Sequence, residues 1–60
     1  MIDRNSFRYG YEEGWKAVLG SRSNAPLTEE RAPAKGRTPF QEGLRQGVAA
    51  ALEYKKAGGG

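Results

Sequence analysis

The 60-residue chain contains no cysteine and no histidine. Disulfide bonds, Cys/His zinc sites and catalysis based on cysteine or histidine are therefore excluded. Apolar residues are also scarce, at 37% of the chain, and cores in chains below about 70–80 residues rarely supply more than about 3–5 kcal/mol. Packing alone must therefore stabilise the fold, and we expect the protein to depend on a binding partner for part of its stability.

Long apolar segments are missing as well. No run approaches the roughly 18 residues that a membrane span requires, and residues 1–4 lack the charged-then-apolar pattern of a signal peptide. We therefore predict a soluble, cytoplasmic protein with no membrane role. Ten Lys and Arg against seven Asp and Glu give a net charge of +3, a balance that suits nucleic acid or an anionic surface.

One segment of the sequence occurs twice in altered form. Phe, Gly, Gly, Ala and Leu residues within 7–19 recur 33 positions later, within 40–52. Placed at 100° intervals, each copy separates into an apolar and a polar face, which predicts an amphipathic helix. We predict an all-α fold in a single domain, residues 1–60, with the following parts: helix one at about 6–19, an irregular Pro-containing linker at 20–37, helix two at about 39–56 and a flexible tail at 57–60.

The predicted helix ends have recognisable signals. Thr38, followed by proline and then by Gln41 at the third helical position, predicts a capping box. The repeat favours Asn5 as the equivalent N-cap of helix one. Gly20 predicts the end of that helix, and Thr28–Arg31 is predicted to form one helical turn within the linker.

Glycines occupy the interiors of both predicted helices, although each costs about 0.5–1 kcal/mol there relative to alanine. They form a Gly-x-x-x-Gly pair on each apolar face, extended by Ala17 in helix one and by Ala50 in helix two. Small residues at this spacing allow two backbones to approach closely. The predicted helix–helix contact comprises Phe7, Gly10, Tyr11, Gly14, Phe40, Gly43, Leu44 and Gly47. The long linker permits either an intramolecular antiparallel pair or a dimer in which two chains exchange helices.

Three segments together resemble a known family. They are Gly10-Tyr11-Glu12-Glu13-Gly14, Gly20-Ser21-Arg22-Ser23 and Phe40-x-x-Gly43-Leu44-Arg45. Their order resembles ribosome modulation factor, a family of short, basic, two-helix bacterial proteins that bind the small ribosomal subunit and support hibernation. The family's Cys-Pro-Tyr linker element is absent, and Phe40 and Leu44 stand where its second helix has tryptophans. The resemblance implies a divergent, phage-encoded relative that binds ribosomal RNA on the small subunit and modulates translation.

The candidate binding residues are cations and aromatics. Tyr9 is predicted to project from the polar face of helix one, and Trp15 to lie at the edge of the apolar face. An exposed aromatic among cations can stack on an RNA base or anchor in a protein pocket; ordinary packing is the alternative for both rings. Cations can contact phosphates or be solvated charge. The predicted nucleic-acid or partner-binding residues are Arg8, Tyr9, Trp15, Arg22, Arg31, Lys35, Arg37 and Arg45.

No catalytic arrangement is evident in the sequence. The adjacent pairs Glu12-Glu13 and Glu29-Glu30 are not general acid/base pairs, because neighbours on a helix point about 100° apart. Without a phosphate-cradling loop, a nucleophile elbow or metal-ligand spacing, we expect a binding protein rather than an enzyme, with no cofactor and no metal. Two alternatives to RNA binding are a protein-binding adaptor or inhibitor, such as a phage protein acting on a host protein, and a structural homodimer.

Overall fold

The computed structural model describes residues 5–58 as two α-helices joined by a linker without regular secondary structure. Helix α1 is Phe7–Leu19 and helix α2 is Pro39–Lys56. The two helices pack against each other, which confirms the predicted all-α fold. Residues 1–4 and the last two residues of the predicted flexible tail, Gly59 and Gly60, lie outside the described residues.

The first turns of the two helices are capped by different means. In α2 the Thr38 hydroxyl accepts from the Gln41 N–H at 3.1 Å, and the Gln41 side chain accepts from the Thr38 N–H at 3.0 Å, which confirms the capping box. In α1 the cap is Ser6, whose hydroxyl accepts from the Tyr9 N–H at 3.1 Å. From the sequence alone, Asp3, Asn5 and Ser6 are all acceptable caps, and the repeat favours Asn5. That preference was wrong because the repeat equates Ser6 with Pro39, whose side chain has no oxygen for capping, whereas the Ser6 side chain has one.

Helix α1 ends where the sequence predicts. Gly20 has a φ of +100°, which disfavours any residue with a Cβ atom, and its N–H donates to the carbonyl of Lys16 at 2.8 Å. The predicted helical turn at Thr28–Arg31 does not form, since residues 23–34 have no helical structure. A single exposed turn cannot offset its nucleation cost without packing, and all four of its residues are exposed.

The helices touch through their glycines. A Cβ atom on any of the four would overlap a backbone carbonyl oxygen of the other helix, which confirms the predicted close contact. The overlaps pair Gly10 with Phe40, Gly14 with Leu44, Gly43 with Phe7 and Gly47 with Tyr11. Because residues 33 positions apart exchange roles in these pairs, the contact has approximate twofold symmetry.

The two helices run in the same direction. Gly10 faces the α2 turn that begins at Phe40, and Gly14, one turn later in α1, faces the turn that begins at Leu44. The intramolecular arrangement expected from the sequence was antiparallel, so the direction differs from that expectation. A parallel pair is reachable because α1 is only about 20 Å long, and the linker, which runs from residue 20 to residue 38, is long enough to return along it.

The linker returns along one side of α1 and covers the core. The indole N–H of Trp15 donates to the Ser23 hydroxyl at 2.9 Å, and residues 25–28 then lie beside Phe7 and Tyr11. The rings of Phe7 and Tyr11 stack with centroids 6.1 Å apart. Together with Ala51 of α2, these three aromatic residues of α1 form the buried core.

The small-residue stripe ends differently from the prediction. Ala51, which has no exposed surface, continues the stripe of α2 one turn beyond Gly47, whereas Ala50 is half-buried and Ala17 is exposed. In α2 the third small residue, Ala51, therefore follows Gly47 by four positions, the same spacing that separates Gly43 from Gly47. Within residues 5–58, neither helix has the combination of length and apolar character that crossing a membrane requires.

Candidate functional site

A buried carboxylate lies at the start of α2. Glu42 is 4% exposed, and its Oε2 accepts a hydrogen bond from the Gln46 side chain at 2.8 Å and lies 3.8 Å from the Arg45 guanidinium. Its Oε1 is buried and makes no hydrogen bond of good geometry within residues 5–58. At 100° intervals Glu42 falls on the polar face of α2, but it is buried, because the returning linker brings Ala34 and Arg37 close to it.

The surroundings of Glu42 keep it ionised at neutral pH. The hydrogen bond from Gln46 lowers the pKa of this carboxyl group most, and burial opposes that effect. Arg45, the backbone N–H of Ala34 and Arg37 lower the pKa further, so that the net shift is downward from the ordinary value of 4.5. Glu42 therefore stabilises the fold above that pH, and this contribution is lost as the pH falls through the lowered pKa.

Two cations, Arg37 and Arg45, act on Glu42, and Lys35 lies two residues before Arg37 in the linker. Lys35 and Arg37 are exposed in the linker, and the side chain of Arg45 is 60% exposed on α2. We call Lys35, Arg37 and Arg45 the basic cluster. One carboxylate cannot neutralise three cations, and the N-terminus of α2 adds the positive end of a helix dipole. A shallow hollow beside the basic cluster, lined by Arg37 with Gly36 and Gln41, leaves this positive surface open to solvent.

The other predicted cations lie elsewhere. Arg8, with a side chain 76% exposed, pairs with Glu12 at 3.4 Å on α1. Arg31 lines a separate hollow with Glu53, and Arg22 follows the end of α1 beside Ser23. The structure thus brings Lys35, Arg37 and Arg45 together and separates the remaining three cations from them.

The two aromatics predicted to bind a partner are engaged inside the protein. Trp15 is 5% exposed, and the ring of Tyr9, predicted to project into solvent, is half-buried with its centroid 5.9 Å from that of Phe40. The helices approach so closely at Gly10 that the preceding residue reaches the other helix. Both rings therefore contact other aromatic side chains of the protein.

A different aromatic is open to solvent. Tyr54, near the end of α2, is 49% exposed, and its ring lies 5.4 Å from that of Trp15 at an angle of 55°. At 100° intervals Tyr54 falls on the apolar face of α2, which agrees with its contact with Trp15. The signal for its exposure is that α2 continues for several residues beyond the small-residue stripe. Leu27 and Leu52 are the other large apolar side chains that are exposed within residues 5–58.

Comparison with protein-family models, with curated proteins and with solved structures finds no match to this chain. Within the described part of the chain, acidic side chains do not gather into groups of three that could hold a metal ion. The function of the protein is therefore inferred from its exposed charges and aromatic rings.

Proposed function

We propose that this protein is a small basic RNA-binding protein, similar to ribosome modulation factor, that binds ribosomal RNA on the small subunit and modulates translation without catalysing a reaction. The basic cluster is the single observation that best supports this proposal. Arg37 and Arg45 act on one carboxylate, Lys35 lies two residues before Arg37, and the three cations leave excess positive charge near the start of α2. Phosphate groups are the natural ligands of such a surface.

The chemistry of the basic cluster suits a phosphate backbone. Arginine presents planar donors that match phosphate oxygens, and lysine contributes a mobile point charge. Glu42 attracts Arg37 of the linker as well as Arg45 of α2, which favours keeping these two cations close to each other. Stacking is not assigned to Tyr9 or Trp15, because both rings contact other parts of the protein.

The test is co-sedimentation with purified small ribosomal subunits at about 50 mM and about 200 mM salt. We expect association at low salt and a steep loss at high salt. The double variant Lys35→Gln/Arg37→Gln should bind more weakly and lower the slope of log affinity against log salt by about 1.4, since each lost phosphate contact on a single strand contributes about 0.7.

The matched control is Arg8→Gln/Lys16→Gln. It also removes two positive charges, but from α1, outside the basic cluster. Equal weakening by the two double variants would show that only net charge matters. No association at low salt, or binding that is indifferent to salt, would exclude the ribosomal proposal.

The exposed leucines favour one alternative, a protein-binding adaptor or inhibitor of the kind a phage directs at a host protein. Leu27 is 85% exposed and Leu52 is 53% exposed, and burying an exposed leucine side chain against a partner is favourable by about 1.5–3 kcal/mol. One stoichiometric polypeptide recovered from a nuclease-treated lysate, with no RNA in the untreated sample, would favour this alternative. A structural homodimer remains the third proposal, and sedimentation of the free protein as a monomer would exclude it.

A further inference from the structure

We infer that the exposed ring of Tyr54 is a stacking platform for a base of single-stranded RNA. This inference rests on the proposed function and adds to it a second contact, separate from the basic cluster. The ring is the most exposed aromatic of the described chain, and it lies near the C-terminal end of α2. The basic cluster lies at the other end of the same helix.

Tyr54 is held from one side only. Its ring contacts that of Trp15, with centroids 5.4 Å apart and the planes tilted by 55°. Trp15 is itself 5% exposed and is fixed by the hydrogen bond from its indole N–H to the Ser23 hydroxyl. Tyr54 thus has a rigid support and an open surface, so little side-chain freedom would be lost when a base stacks on it.

Three cations and one acid lie close to Tyr54 or to its neighbour Trp15 along the chain. Arg22 precedes Ser23, which is bonded to Trp15, and Lys55 and Lys56 follow Tyr54 directly; all three cations are exposed. Among residues 5–58, none of the three lies within ion-pair distance of a carboxylate. The nearest acid along the chain, Glu53, lines the hollow with Arg31 on another side of α2.

An exposed aromatic ring with unpaired cations at neighbouring positions of the chain fits a nucleotide better than a peptide. The ring offers a face to any base, and the cations can reach the phosphates on either side of it. A base inside a duplex has no free face, so the platform requires a single strand. Glu42 and Tyr54 are 12 residues apart on α2, so a strand that reaches both the basic cluster and the ring has to extend over about 18 Å along the helix.

The test is fluorescence anisotropy with a labelled single-stranded RNA of about 12 uridines and adenosines, a length in the range that single-strand sites cover. Tyr54→Leu keeps an apolar cover over Trp15 but removes the aromatic face, and it should weaken binding about fivefold to 100-fold. Tyr54→Phe should bind like the parent protein. Circular dichroism and thermal melting should show that both variants are folded.

Leu52→Ala is the matched control, because Leu52 is similarly exposed on the same helix but lies about 160° around it from Tyr54. It should not change the affinity. Trp15, the single tryptophan, gives a second readout: RNA should alter its fluorescence in the parent protein and in Tyr54→Phe, but not in Tyr54→Leu.

Two results would overturn the platform alone: Tyr54→Leu binding the single strand as tightly as the parent does, or the parent binding an RNA duplex as tightly as the single strand. If the parent protein binds neither the single strand nor small ribosomal subunits, the proposed function fails together with the platform. Subunit binding by the parent that Tyr54→Leu leaves unchanged would leave the basic cluster as the site.

Discussion

Trp15 is the residue through which all three parts of the chain meet. Its ring belongs to α1, its indole N–H is bonded to Ser23 in the linker, and its ring faces Tyr54 of α2. In a core of so few side chains, a buried donor without an acceptor would be a large fraction of the total stability. The bond to Ser23 therefore fixes where the linker begins its return along α1.

Replacing Ser23 tests this role. Ser23→Ala leaves the buried indole N–H without its acceptor and should reduce the free energy of unfolding by about 1–3 kcal/mol. In a domain of this size each kcal/mol corresponds to a fall of about 4–8 °C in the melting temperature. Ser21→Ala removes a hydroxyl from an exposed position two residues earlier and should melt like the parent. Equal melting of the two variants would contradict the assignment.

At the scale of the helix, the four glycines determine how α1 and α2 meet. With no side chain at these positions, each backbone lies against the other, and residues beside the glycines cover the contact. Tyr9 and Glu42 precede the first glycine of their helices and stand 33 positions apart. Both side chains are at least half-buried. The position before the first glycine is therefore covered in both helices, by an aromatic ring in α1 and by a carboxylate in α2.

The glycine contact predicts an unusual response to alanine. Alanine is the better helix former by about 0.8–1 kcal/mol, yet Gly14→Ala and Gly47→Ala should each lower the free energy of unfolding by about 1–3 kcal/mol, because the new methyl group meets backbone that cannot move aside. Ala17→Leu adds a larger side chain to the exposed part of α1 and should be tolerated. Thermal or urea unfolding that shows Gly14→Ala to be as stable as the parent would rule out the backbone contact.

The helices and their glycine contact could be predicted from the sequence because their signals are local. The capping box of Thr38, the positive φ of Gly20 and the Gly-x-x-x-Gly spacing each depend on a few neighbouring residues. The direction of the helices could not be predicted, because both directions bring the glycines together. The burial of Glu42 and the contacts of Tyr9 follow from that direction and from the path of the linker, so a helical wheel misplaces both residues.

At the scale of the whole molecule, the linker makes the parallel pair possible. It starts beside Trp15, passes Phe7 and Tyr11, and reaches Glu42 before α2 begins. This path places the linker cations at the start of α2 and leaves the end of α2 uncovered. The basic cluster lies near the start of α2 and Tyr54 lies near its end, so the two form separate surfaces.

The parallel arrangement within one chain is tested most directly by pulsed electron paramagnetic resonance, which measures the distance between two spin labels. Because the chain has no cysteine, cysteines introduced at chosen sites can be labelled specifically. Arg8, Ala17 and Lys56 are exposed positions; one pair joins Arg8 to Lys56 and the other joins Ala17 to Lys56. We predict that the Ala17 pair is the closer by roughly 10 Å, and that excess unlabelled protein leaves both distances unchanged. A shorter distance for the Arg8 pair, or loss of the distances on dilution with unlabelled protein, would contradict the parallel intramolecular pair.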